Sequence, residues 1–197
     1  MNESFDLLFG VALGIGLAAA TGFRVFVPLL IAGLAARAGW LPLVDSFAWL
    51  QSTPALAALG TAAAVEILAF YIPGLDHLLD VLAGPLTVIA GVLASASVMV
   101  DLPPEVRWPI AVIAGGGIAG ITKATTAMVR AKGALVTGGL SNPVVSTAET
   151  AGAATVSILA IVAPLLCLAV AIVMVAWALR RWRRSRSPDR SRPRGPA

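Results

Sequence analysis

The sequence predicts an all-α, polytopic transmembrane helix bundle. Of the 197 residues, 58% are hydrophobic and only 12% are charged, whereas about a quarter of a typical soluble domain is charged. A soluble chain of this length could not bury so much apolar surface, because a small domain leaves much of its surface in water. The apolar residues form five long tracts without the alternating pattern of barrel strands, which favours helices.

Turn-forming residues separate the five apolar tracts. The predicted tracts cover 7–36, 53–72, 76–100, 109–130 and 142–179. A helix crosses about 30 Å of hydrocarbon with about 20 residues, so the last tract is long enough for two spans. Pro164 divides it, which gives six spans, while treating it as one helix gives five. Pro28 predicts a kink or break near Arg24–Pro28 in the first tract, and Thr53 is the expected N-cap of the second.

The spans are predicted to form a single transmembrane domain over residues 1–182, followed by an arginine-rich tail over 183–197. The tail has almost no apolar residues and is expected to be disordered. Basic residues favour the cytoplasmic side, so six spans place both termini of a multi-pass cell-membrane protein in the cytoplasm. The tail is expected to contact anionic lipid rather than nucleic acid. The acidic N-terminus is unlike a signal peptide, so the first segment is expected to be retained.

Four charged residues lie inside the apolar tracts and away from their ends: Arg24, Glu66, Lys123 and Glu149. A charge that faces lipid is costly, so these side chains are predicted to point into the bundle. Arg24 is expected to pair with Glu66, and Lys123 with Glu149. Two alternatives stay open. The long basic side chains could reach the headgroup layer, and Glu149 could form a capping box with Ser146.

Two segments rich in small residues resemble each other, Gly14–Thr21 and Gly115–Thr122. The matched pairs are Gly14 with Gly115, Gly16 with Gly117, Ala18 with Ala119 and Thr21 with Thr122. A basic residue follows each segment. In a six-span chain the segments would belong to two inverted three-helix halves, 7–100 and 109–180, as in many small transporters. Ordinary close packing of helices through small residues is the alternative.

A polar cluster marks the start of the third tract, where Asp76, His77 and Asp80 lie within one helical turn. These residues could bind a metal ion or relay protons. Acidic residues are also common in the first turn of a helix, which they stabilise, and this interpretation is favoured over a metal site. The single cysteine, Cys167, excludes a cysteine cluster. No cofactor is predicted, and no recognisable catalytic motif is present.

Several motifs together resemble those of a bacterial membrane family known as domain of unknown function 4126. The motifs are Gly14–Pro28 with its Gly-Phe-Arg-Val-Phe-Val-Pro centre, Phe47-Ala48-Trp49-Leu50, Glu66 followed by Ile72-Pro73-Gly74-Leu75-Asp76-His77, and Ser141-Asn142-Pro143 followed by Glu149. The resemblance extends from about Leu7 to Trp182. It implies a multi-span membrane domain and assigns no activity.

The leading functional hypothesis is a transporter or channel for a small solute or ion. Its site would lie between the two halves, lined by Gly14–Thr21 and Gly115–Thr122 together with the four charges in the apolar tracts. A chain this short is compatible with a homodimer. A membrane scaffold or assembly partner is the second hypothesis. A membrane-embedded enzyme that uses Asp76, His77 and Asp80 is the third and least favoured.

Overall fold

The computed structural model describes residues 3–69, 75–137 and 142–185, and within these residues the chain is helical with no strand. The α-helices are α1 (Glu3–Thr21), α2 (Phe26–Arg37), α3 (Thr53–Ala69), α4 (Leu75–Val98), α5 (Pro104–Ile110), α6 (Gly117–Thr137), α7 (Asn142–Val162) and α8 (Pro164–Ser185). A 3-10 helix, Asp45–Gln51, precedes α3, and a π-helical stretch, Ala111–Gly116, joins α5 to α6. The all-α prediction is therefore confirmed for the described residues.

Capping residues and prolines set several of these helix boundaries. The Ser52 hydroxyl accepts a hydrogen bond from the Ala55 N–H at 3.3 Å, so the N-cap of α3 is one residue earlier than the predicted Thr53. Pro164 opens α8 as predicted, because proline at the first helical position gives up an N–H that would have no helical partner. Helix α8 continues to Ser185, so residues 183–185 are helical rather than part of a disordered tail. The remaining tail residues lie outside the described part of the chain.

The first apolar tract has the predicted break near Arg24, but it folds into a helical hairpin rather than one span. Helix α1 runs antiparallel to α7, because Gly16 packs against Ala160 near the end of α7 while Phe23 packs against Gly152 further back. Helix α2 runs parallel to α7, since its C-terminal half lines a pocket with the last turns of α7. Helices α1 and α2 therefore point in opposite directions. Residues 22–25, which join them, are called the hairpin tip below.

Gly22 lets the hairpin tip pack closely against α6. A Cβ atom on Gly22 would collide with the Thr122 side chain of α6, so only glycine allows this approach. Pro28 lies in the first turn of α2, where a missing N–H costs no helical hydrogen bond. It therefore helps to begin the second arm of the hairpin instead of bending a continuous helix.

Two helical stretches in the described residues are long and apolar enough to cross a membrane. They are Pro104–Thr137, with 34 residues, and Pro143–Val162, with 20. The 3-10 helix and α3 add a third if this pair, bent by 66°, counts as one span. The apolar parts of α1 and α2 are each shorter than a crossing helix. These helices support a membrane protein, but they do not confirm six spans.

Helix α1 packs antiparallel to α4 in the centre of the bundle. Gly10 lies against Val98 and Met99 at the end of α4, and Gly14 lies against Ser95 one turn earlier. Each glycine lets the two backbones come close, as in other membrane helix pairs. This contact places the start of α1 at the same end of the bundle as the end of α4.

Helix α6 also packs antiparallel to α4, on the side next to α1. Gly115 lies against Ser95, and Gly120 lies against Val88 two turns earlier in α4. Because α1 and α6 both oppose α4, they run parallel to each other. Two helices related by a two-fold axis in the membrane plane would run in opposite directions. The predicted inverted repeat is therefore wrong, although its two segments do lie side by side.

Candidate functional site

A fully buried arginine lies at the hairpin tip. Arg24 is only 1% exposed, and its guanidinium donates hydrogen bonds to the Thr150 hydroxyl at 3.1 Å and to the Ser146 backbone carbonyl at 3.0 Å. It also donates to the Ser146 hydroxyl and lies 4.0 Å from a Glu149 carboxylate oxygen. All three partner residues lie on one face of α7, because they are three and four positions apart. Arg24 thus fixes the hairpin tip to α7.

Glu149 connects the hairpin tip to helix α6 as well. Its carboxylate forms an ion pair with Arg130, so two arginines from different parts of the chain share one acidic group. Lys123 is also buried. It precedes Arg130 by seven residues, and this spacing places both residues on the same face of α6. Burying a charge is costly unless it is paired and hydrogen-bonded. Arg24, Arg130 and Glu149 therefore form a buried ionic cluster.

Glu66 has a different role from the predicted ion pair with Arg24. Its two carboxylate oxygens accept hydrogen bonds from the backbone N–H groups of Val25 and Phe26, at 2.8 and 3.1 Å. These amides begin α2 and have no partner within the helix. A negative charge there also interacts favourably with the helix dipole. Glu66 therefore caps α2 from α3, and the predicted Arg24–Glu66 pair is not formed.

The two glycine-rich segments form a closed packing seam. A Cβ atom on Gly115 would come within 2.6 Å of the Ser95 Cβ, and one on Gly14 within 2.9 Å of the Ser95 hydroxyl. Gly16 instead faces Ala160 and Cys167, whereas Gly117 has open space around it. The matched glycines Gly14 and Gly115 thus share a contact with Ser95, whereas Gly16 and Gly117 do not share one. The seam leaves no room for a solute beside Gly14 or Gly115.

The two matched threonines lie near the hairpin tip, and both are buried. The Thr21 hydroxyl donates to the Ala18 carbonyl at 2.7 Å. The Thr122 hydroxyl finds no hydrogen-bond partner among the described residues, although its side chain packs directly against Gly22. A buried polar atom without a partner is costly. Thr122 is therefore a group that a polar ligand or water molecule could satisfy.

The polar cluster predicted at the start of α4 lies at the same end of the bundle as the second half of α6. Asp76, His77 and Asp80 belong to the first turns of α4, and α4 opposes α6. Their side chains lie outside the described part of the structure. A metal, proton or catalytic role for them stays a prediction.

Sequence reasoning missed three residues of the hairpin-tip site. The sequence predicts no role for Arg130 or Thr150, and it relates Ser146 to Glu149 but not to Arg24. The spacing of Ser146, Glu149 and Thr150 could have indicated a polar face on an otherwise apolar helix. Nothing in the sequence shows that this face meets Arg24, which lies 122 positions before Ser146.

A family model described as domain of unknown function (DUF4126) matches residues 11–184. The chain belongs to this family. The matched range includes the hairpin tip, the ionic cluster and Glu66, so the candidate site lies within the DUF4126 domain. No curated protein and no solved structure matches the chain. The DUF4126 description assigns no activity, and the functional argument rests on the geometry of the hairpin tip.

Proposed function

We propose that this DUF4126 protein is a multi-pass cell-membrane protein that binds a small polar solute or ion at the hairpin tip and moves it across the bilayer. The observation that carries the proposal is Arg24, an arginine wholly buried where two apolar helices break. It shares Glu149 with Arg130 on a third element. An interior charge of this kind in a membrane protein is by default a functional candidate, because hydrocarbon tolerates it poorly.

The broken helix supports the same proposal. Irregular backbone at membrane depth is tolerated only where it contacts protein or a polar cavity. At the hairpin tip, Glu66 satisfies two of the freed amides, while Thr122 beside Gly22 carries a buried hydroxyl without a partner in the described residues. Discontinuous helices whose ends point at a solute are a recurrent feature of transporters. The site is thus proposed at the tip and not along the glycine seam.

The proposed orientation follows from the hairpin and the basic residues. If α3, α4, the α5–α6 stretch, α7 and α8 each cross, the arginine-rich tail and the α6–α7 connection lie on one side, which is cytoplasmic by the charge rule. The hairpin starts and ends on the opposite, outer side. That end carries the exposed tryptophans Trp40, Trp49 and Trp108, and tryptophan is enriched at membrane interfaces.

A flux assay with purified protein in liposomes tests the proposed function. The probes are labelled sodium, rubidium, chloride and a mixture of small amino acids. We expect at least one probe to enter faster than in protein-free liposomes, and Arg24→Gln to slow this entry at least tenfold. Arg37→Gln is the matched control, because Arg37 is exposed and its guanidinium bonds only Thr53 among the described residues.

The closed seam of α1, α4 and α6 favours a second candidate function, a membrane scaffold or assembly partner that acts alone or as a homodimer. At Gly91, a Cβ atom would lie 3.1 Å from both the Thr21 hydroxyl and the Gly115 carbonyl, so this crossing is tightly packed. In a scaffold, the ionic cluster would only fix the helices. A folded protein that moves none of the probes would favour this candidate over transport.

A further inference from the structure

An apolar groove opens between the C-terminal half of α2 and the end of α7. Its volume is about 240 Å³, and its lining is formed by seven residues, Ile31, Leu34, Ala35, Trp40, Ile158, Ile161 and Val162. None of these side chains carries a charge. The groove lies on the opposite side of α2 from Gly33, which faces Leu50 and Leu56 near α3, and away from the hairpin tip. It therefore does not belong to the candidate solute site.

The position of the groove determines what can occupy it. The stretch Pro143–Val162 is one of the helices long and apolar enough to cross a membrane, and the groove runs along its last two turns. Groove residues Leu34 and Val162 are about half and three-quarters exposed, so the groove opens to the surroundings of the bundle. In a bilayer, these surroundings at the last turns of a span are the outer parts of the acyl chains and the adjoining headgroups.

We infer that this groove binds one acyl chain of a membrane phospholipid as a specific lipid site. An apolar cavity of about 150 Å³ can hold a six-carbon ring, so by proportion this groove takes an apolar segment of roughly nine or ten carbons. The lining has no group that would hydrogen-bond a polar ligand except the Trp40 indole. A hydrocarbon chain fits this chemistry, whereas a polar solute does not.

The position of Trp40 indicates the orientation of the bound lipid. Its side chain lines the groove and is nevertheless 79% exposed, which is typical of tryptophan at the level of the headgroups. The headgroup is therefore expected beside Trp40, and the chain is expected to extend along α2 toward Ile31. The lipid would then contact both α2, the second arm of the hairpin, and α7. The inference requires only that the chain lies in a bilayer, and it does not depend on transport.

Native mass spectrometry of the full chain, extracted from membranes with a mild detergent, tests the inference. We expect one phospholipid to remain on each chain after extended washing. Val162→Phe narrows the groove from its exposed edge and should reduce the retained fraction at least fivefold. Val173→Phe is the matched control, because Val173 is similarly exposed on α8 and does not line the groove. It should retain the lipid as the wild type does.

A bilayer measurement provides a second, independent readout. In a variant whose only tryptophan is Trp40, phospholipids brominated on the acyl chain should quench its fluorescence. Val162→Phe should weaken the quenching at least twofold, and Val173→Phe should not. Wild-type protein that carries no phospholipid after washing, or equal retention and equal quenching in the two variants, would overturn the lipid site.

Discussion

Glu149 is the acidic side chain that pairs with both arginines at the hairpin tip. It accepts from Arg130 and lies 4.0 Å from Arg24, and it is only 5% exposed. The Arg24–Glu149 contact joins the hairpin to α7, and the Arg130 contact joins α7 to α6. Each contact spans different elements, so the loss of one carboxylate affects three helices. Glu66 acts separately, through the backbone of α2.

Removing the charge of Glu149 should destabilise the protein strongly. Glu149→Gln leaves two buried arginines without their shared carboxylate, and breaking a buried pair costs roughly 3–5 kcal/mol. We expect a clearly lower melting temperature in detergent, which circular dichroism measures. The control is Glu105→Gln, since Glu105 is exposed in the first turn of α5. Equal melting of the two variants would contradict an ionic cluster that stabilises the bundle.

Removing the Glu66 cap should have a smaller effect. Glu66→Ala breaks two hydrogen bonds from backbone amides to a charged group, and such bonds contribute about 1.5–3 kcal/mol each. Glu66 is partly exposed, so water can replace part of the hydrogen bonding that the two amides lose. We therefore expect a loss of about 1–3 kcal/mol and a partial rescue in Glu66→Gln, which keeps one acceptor oxygen. Thermal melting measures both, and Thr61→Ala on the exposed face of α3 is the control. Wild-type stability of Glu66→Ala would exclude the capping role.

Helix elements in this bundle are positioned by glycines whose contacts differ. Gly22 meets α6, Gly14 and Gly115 both meet Ser95, and Gly60 has open space around it. All of them look alike in the sequence. Whether a glycine is required thus depends on the helix that packs against it, which local sequence does not contain.

Two alanine substitutions should separate packed from unpacked glycines. Gly22→Ala would force the hairpin tip away from Thr122, and overpacking of this kind typically costs about 1–3 kcal/mol. Gly60→Ala, in the open middle of α3, should be neutral or stabilise by up to about 1 kcal/mol, because alanine favours the helix. Melting temperatures of the two variants provide the measurement. A Gly22→Ala protein as stable as Gly60→Ala would contradict the close contact at the tip.

At the scale of the whole molecule, the hairpin changes the predicted topology. The sequence predicts both termini in the cytoplasm, since it treats the first tract as one span. A hairpin that starts and ends on the same side removes that crossing. The proposed five crossings then place the two termini on opposite sides, while the C-terminal end of α6, with Arg130 and Lys132, and the tail still share the cytoplasmic side.

Cysteine labelling at the two termini tests this topology. In a Cys167→Ala background, we expect Asn2→Cys to react with a membrane-impermeant reagent from outside intact cells. Arg190→Cys should react only after the cells are opened. Reaction of both positions from the same side would contradict five crossings with an outer hairpin and would restore the original expectation for the termini.

Composition and local pattern were sufficient to predict the helical class, the membrane environment, most helix boundaries and the burial of Arg24 and Glu149. These features depend on forces that act along a short segment: the cost of exposing apolar residues to water, the missing N–H of proline, and the cost of a charge in hydrocarbon. Only the tertiary structure decided that α1 and α2 reverse direction, that α1 and α6 run parallel, and that Glu66 caps α2 while Arg24 joins Glu149. Each of these depends on which helix lies beside which, and residues more than 100 positions apart meet because the fold brings them together. A similarity between two glycine-rich segments carries no direction, so it could indicate their contact but not their relative orientation.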